Sequence, residues 1–280
     1  MAKAISVTSK SANLFIILEF IGVIFCKDMQ KFLMRSSRYV INFILARHYL
    51  ADFDYLCHMN VKHAYSRSEE ILNASTHAVG LLIAIVVCRF FVIKSADYAS
   101  SLGILSLVIY FVGVASSYAA STMYHAIPAA SVKRKALARK VDHAAIYWHI
   151  AGSYTPVTLI AMLEGGAPVW GIAICSFVWL AAIVGTGLSF RKLKAHSYLE
   201  TACYVLMGLT ILVAFKPFYE CCGLEIVLWV VGEGVAYIVG AVLYSFKQIP
   251  YIHSVFHLFV ILGDICHMIA TWKLLQMFVL

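Results

Sequence analysis

Long apolar stretches separated by short polar breaks constrain this chain more than any other feature of it. Seven can be read, at about residues 72–93, 102–127, 143–163, 168–190, 198–217, 224–246 and 254–277. Each is close to the length of about 20 residues that carries an α-helix across the hydrocarbon core of a bilayer. Breaks fall at Lys94–Asp97, at a basic loop over 131–141, at Glu164–Pro168, at Arg191–Lys194, at Pro217–Gly223 and at Lys247–Pro250. Hydrophobic residues make up 62% and charged residues 13% of the chain, against about a quarter charged in soluble domains. Such a chain cannot cover a soluble globule with polar surface. The expectation is an all-α integral membrane protein, a multi-pass bundle of seven transmembrane helices.

Residues 1–64 read differently. The apolar run 13–26 is only 14 residues long and Glu19 interrupts it. Lys3 and Lys10 ahead of it give it some look of a signal peptide, but no small-x-small cleavage site follows. Residues 1–64 are read as an interfacial or disordered cytoplasmic extension, with an eighth span at 13–26 as the alternative. Residues 65–280 form the membrane domain.

Orientation follows from the basic residues. All of the 22 lysines and arginines except Arg89, Lys94, Lys216 and Lys273 fall before the first span or in the loops after spans two, four and six. The positive-inside rule then puts the N-terminus in the cytoplasm and the C-terminus on the other side, the reverse of a G-protein-coupled receptor. The net charge of +8 is distributed among these loops. No basic stripe with interleaved aromatics is present, so a nucleic-acid partner is not expected. The eight cysteines are scattered, without a C-x-x-C spacing, and read as small buried hydrophobes.

Ionisable residues within spans are costly and are functional candidates by default. With this orientation, Glu69, Glu70 and His77 open the first span and His125 closes the second. Asp142 and His143 open the third, and His253 and His257 open the seventh. Four segments far apart in sequence thus bring histidines and acids to one membrane level. His253 and His257 are four apart, one turn on one helix face. With His125 they offer three nitrogen ligands and leave a fourth position open, the layout of a catalytic zinc. Asp142 is placed to orient a water or take its proton. Ser121, four residues before His125, is placed to hydrogen-bond that water or a developing oxyanion.

Plainer readings exist for each residue. A histidine at a helix end is more often interfacial than ligating. Asp142 suits a helix N-cap. Ser117 and Ser121 suit close helix packing. Glu70 and His77 either support the metal ligands or hydrogen-bond between helices. His149, Glu233, Asp264 and His267 lie deeper. They line a cavity or a proton path, or they form buried hydrogen-bonded pairs.

Four ordered motifs resemble the hemolysin III family, which sits with the progestin and adipoQ receptors and, more distantly, the alkaline ceramidases. They are Tyr65–Gly80, Ser121–Pro128, Asp142–Pro156, and Pro250–His257 with His267. The resemblance implies seven helices, a cytoplasmic N-terminus and a zinc held by His125, His253 and His257. It maps the family's aspartate and serine onto Asp142 and Ser121. His149 stands where an aliphatic residue is expected, and residues 1–64 have no counterpart.

Three functions compete. The first is a zinc-dependent hydrolase of a lipid amide or ester, resembling a ceramidase. The second is a receptor for a small hydrophobic ligand with a structural zinc. The third is a pore-forming cytolysin. Membrane lipids are the expected partners, and a homo-oligomer is compatible with the sequence.

Overall fold

In a computed structural model, residues 65–97, 100–191, 198–246 and 248–280 are described. The sequence reading of residues 1–64, including the run 13–26, lies outside them. The described residues are helical throughout, with short connections and no strand. The helices are α1 (Arg67–Ser95), α2 (Ser101–Ala126), α3 (Val132–Pro156), α4 (Pro168–Phe190), α5 (Tyr198–Gly208), α6 (Phe215–Ser245) and α7 (Ile252–Phe278). Among the described residues, five runs are long and apolar enough to cross a membrane: α1, α2, α4, Glu200–Ser245 and α7. Residues Tyr65–Tyr244 and Tyr251–Leu280 pack as one compact unit. In the connection Ser245–Pro250, which belongs to a second unit, the N–H of Ile249 donates to the C=O of Phe246 at 3.0 Å.

Helix ends are fixed by local chemistry. Ser66 caps α1, with its hydroxyl accepting from the Glu69 N–H and the Glu69 carboxylate accepting from the Ser66 N–H at 2.8 Å. This reciprocal box satisfies two of the N–H groups that a helix start leaves orphaned. The other oxygen of the same buried carboxylate accepts from the Tyr251 N–H at 3.0 Å. One side chain thus ties the start of α1 to the start of α7.

The basic segment does not form the loop read over 131–141. Helix α3 begins at Val132 and carries Lys133, Arg134, Lys135, Arg139 and Lys140 on its first turns. Alanine, leucine, lysine and arginine are good helix formers, and no proline or glycine lies between Pro128 and Gly152 to stop them. Near its end α3 contains Pro156, and a π-helical stretch, Val157–Met162, continues it. A proline removes one ladder bond and crowds the preceding turn. Thr155 and Thr158 hydroxyls donate to the carbonyls of Ala151 and Tyr154 and supply partners there. The break read at Pro217–Gly223 is narrower than expected. After a 3-10 stretch, Leu209–Ala214, α6 starts ahead of Pro217 and is interrupted at Gly223, whose φ of 71° is left-handed. Proline fits a first helical turn, and glycine reaches positive φ without a Cβ clash.

Two apolar clusters hold the bundle. One unites Phe91, Tyr110, Phe111, Tyr118 and Met268 between α1, α2 and α7. The other unites Tyr147, Met162, Val178, Phe218 and Leu274. The outward faces are apolar too, with Val86 67% and Leu82 64% exposed, as a lipid-facing surface requires. Helices α2 and α3 cross closely where Gly113 meets the Trp148 carbonyl and Gly152. A Cβ on Gly113 would lie 2.6 Å from that oxygen. Gly113→Ala should therefore destabilise the detergent-purified protein by about 1–3 kcal/mol. Gly187→Ala, where nothing lies within 4 Å of the added Cβ, should leave the thermal midpoint unchanged.

Candidate metal centre

The three predicted histidines meet. Nε2 of His253 lies 3.1 Å from Nε2 of His125 and 3.1 Å from Nε2 of His257. One ligand atom from each lies within 4.8 Å of the other two, so the group could hold a metal ion. His125 and His257 are buried, and His253 is half-buried. Ligands held at the zinc–nitrogen distance of about 2.0–2.1 Å in a tetrahedron sit roughly 3.3 Å apart, close to these separations.

The opposite edges of the rings decide where the protons are. Nδ1 of His125 lies 2.7 Å from Oε2 of Glu70. A carboxylate only accepts, so this ring carries its proton on Nδ1. Nδ1 of His257 lies 3.1 Å from the carbonyl of Asn73, which also only accepts. The Thr76 hydroxyl donates to the same carbonyl at 2.9 Å and lies 3.0 Å from the same Nδ1. With neutral rings, both Nε2 atoms therefore present bare lone pairs to His253. A single N–H on His253 cannot fully serve both, whereas a shared cation can. The donor set thus fits a divalent metal, with the outer nitrogens oriented as metal-ligating imidazoles usually are.

A relay of charge supports His125. The Lys135 ammonium donates to Oε1 of Glu70 at 2.6 Å and to the carbonyls of Ile127 (3.0 Å) and Tyr124 (3.3 Å). It thus satisfies the end of α2, where a cation is favoured, and fixes Glu70 against His125. Glu70 therefore takes the supporting role. His77 does not join by hydrogen bonds. Its ring stacks on His257 with centroids 3.5 Å apart, and neither of its nitrogens has a partner among the described residues. Tyr65 stacks on His253 at 5.2 Å.

Ser121 is buried one turn before His125. Asp142 is half-buried, and its recorded ion pair is with Nδ1 of His143 at 3.6 Å. His149, Asp264 and His267 stand apart from the three ligands. Nε2 of His149 donates to Oδ1 of Asp264 at 2.9 Å, and His267 pairs with Glu233 at 2.7 Å. Sequence reasoning missed Asn73, Thr76, Lys135, Tyr118 and Tyr237. Asn73 and Thr76 lie in the first quoted motif, but nothing in their types distinguishes a ligand-orienting contact from helix packing.

Five membrane-length apolar helices among the described residues and a largely buried three-histidine cluster define a membrane-embedded helical protein with a metal-competent polar site. Comparison with known proteins identifies its kind. A profile described as "Haemolysin-III related" matches residues 65–268. A hemolysin-3 homolog of Bacillus subtilis is 36% identical over 201 residues, 71% of this chain and 91% of that protein. Hemolysin-3 of Bacillus cereus is 34% identical over 70% of this chain and 87% of its own length. The human monocyte to macrophage differentiation factor is 28% identical over 74% of this chain and 84% of its own. The chain belongs to the haemolysin-III-related family and is an integral, multi-pass membrane protein. The similarity to the human protein fits the wider progestin and adipoQ receptor superfamily.

Removing the charge of Glu70 should loosen the site while leaving the ligands in place. Glu70→Gln should weaken metal binding by about 10–100-fold. Titration of the purified protein against a chromogenic chelator measures this directly.

Proposed function

We propose that this protein is a zinc-dependent hydrolase acting on a lipid amide or ester within the membrane. One observation carries the reading: Nδ1 of His125 and of His257 are committed to Glu70 and Asn73, so their Nε2 lone pairs point together at His253. His125, His253 and His257 would hold the ion. Zinc bound there supplies a Lewis acid that polarises a carbonyl and brings the pKa of a bound water to about 7. Asp142 takes the proton of the attacking water at a carboxylate oxygen. Ser121 donates its hydroxyl proton in a hydrogen bond to the oxygen on which charge develops. Lys135 and Glu70 hold His125 in position throughout.

The same proposal includes seven spans, a cytoplasmic N-terminus, and a membrane domain over 65–280 that follows an extension at 1–64. Glu200–Ser245 is one run of 46 residues. Fully helical it would be roughly 69 Å long, about twice a bilayer core of about 30 Å. The left-handed Gly223 divides it into two lengths that each suit a crossing. Helix α3 with its π-helical continuation supplies the seventh, its polar first turns accounting for its lower apolarity. The basic residues on those turns support a cytoplasmic location for that end. A reporter fused after Leu280 should be found on the non-cytoplasmic side, and the same reporter fused ahead of Met1 in the cytoplasm.

Elemental analysis of purified protein should find about one zinc per chain, as three ligands with an open position imply. His253→Ala should abolish it. Metal-loaded protein should hydrolyse a fluorescent ceramide or lysolipid, and Asp142→Asn should lose that turnover while keeping the zinc. Zinc without turnover on any lipid tested would favour a ligand-responsive receptor, and dye release from liposomes a cytolysin.

A further inference from the structure

A second polar system lies deeper in the bundle than the three histidines. Asp264, 2% exposed, accepts from Nε2 of His149 on α3, from the Tyr118 hydroxyl on α2 and from the Tyr237 hydroxyl on α6. Both tyrosine rings are seated on glycines. A Cβ at Gly80 would meet the Tyr118 ring at 2.6 Å, and one at Gly263 would collide with the Tyr237 ring. One turn on from Asp264, His267 pairs through Nδ1 with Glu233 of α6. Two carboxylate–imidazole pairs thus occupy adjacent positions on one face of α7, each bridging to another helix.

A purely structural clamp would satisfy its polar atoms, and this one does not. Nε2 of His267, the Tyr110 hydroxyl and Oγ1 of Thr271 have no hydrogen-bond partner among the described residues. All three are at least nine-tenths buried. The Tyr110 ring lies 4.9 Å from that of His267, and Thr271 is one turn further along α7. Unpaired polar atoms are costly at membrane depth, and a file of water molecules is the usual remedy. On the other side of Asp264, the edge of Tyr118 meets His77, whose ring nitrogens also lack partners. The unsatisfied atoms therefore continue the carboxylate cluster in both directions along the bundle.

We propose that this file conducts protons through the membrane domain, with Asp264 as its obligatory proton-binding step. A proton carried by water on the His77 side is accepted by a carboxylate oxygen of Asp264 as one tyrosine hydrogen bond is released. The carboxyl group returns a proton to water on the His267 side, and the tyrosine bond re-forms. One proton moves and nothing else changes. His149, Tyr118 and Tyr237 hydrogen-bond this carboxylate, and Tyr110 and Glu233 lie against His267 on the next turn of its own helix. His77 serves only as a hydrogen-bonding contact for water. The inference does not rest on the hydrolase reading.

The test uses the full-length protein in phosphatidylcholine vesicles loaded with a pH-sensitive dye. A potassium gradient with valinomycin provides the driving force. Wild type should change internal pH faster than protein-free vesicles, without releasing a co-trapped fluorescent solute. Asp264→Asn should return the rate to that of protein-free vesicles while keeping its zinc content. Tyr110→Phe and Thr271→Val remove only unpartnered hydroxyls, so they should fold as wild type and slow the flux. Should Asp264→Asn fail to fold, these two variants decide the matter. A wild-type rate equal to that of empty vesicles, solute release that accompanies the flux, or folded variants that all conduct as wild type would overturn the proposal. Metal content and lipid turnover are read separately, so either proposal can fail without the other.

Discussion

In hydrocarbon, a polar group that leaves water must find its partner inside the protein, and the whole arrangement of this bundle follows from that requirement. Backbone groups meet it by forming helices. Side chains meet it by pairing between helices, and those pairs fix which helices sit together. Glu69 joins the starts of α1 and α7, Lys135 and Glu70 join α3, α1 and the end of α2, and Asp264 gathers α2, α3, α6 and α7. Apolar packing alone specifies position weakly here, because the lipid-facing surface is as apolar as the interior. Directional hydrogen bonds between buried ionisable groups supply the missing specificity.

The same requirement gives the histidine cluster its chemical character. Nδ1 of His125 and of His257 satisfy a carboxylate and a carbonyl, and in doing so they commit the proton of each ring. The opposite edges are left as acceptors facing one another through His253. A substrate is a separate matter, since the three histidines form a group that could hold a cation and specify no reacting molecule.

At the level of the three histidines, the outer nitrogens of His125 and His257 are tied to Glu70 and to the Asn73 carbonyl, while both nitrogens of His77 have no partner among the described residues. Deeper along α7, the carboxylate–imidazole pairs are followed by hydroxyls and a ring nitrogen with no partner among the described residues. A bundle that needed only rigidity would fill those positions with leucine or valine. Their polarity calls for water, and water beside a carboxylate is a medium for proton movement.

Much of this was legible in the sequence. Apolar length alone indicates helices, because a segment of that length in lipid has no other way to pair its backbone. The spacing of His253 and His257 indicates one face, because a helix repeats every 3.6 residues. The meeting of His125 with that pair follows from reading depth off the order of the spans. What the sequence left open was partnership. Glu70 and His77 lie on the same face of α1, yet the first hydrogen-bonds His125 and the second stacks on His257. His149, Asp264, His267 and Glu233 were equally compatible with a cavity and with pairs, and only the crossing of α2, α3, α6 and α7 sorted them. The basic segment at 131–141 was misread because charge implies solvent exposure but says nothing against a helix. Periodicity is a local property of a chain, so the sequence determines the elements and their faces. Which ring nitrogen meets which carboxylate depends on ångström-scale approach between helices, and the tertiary structure alone decides that.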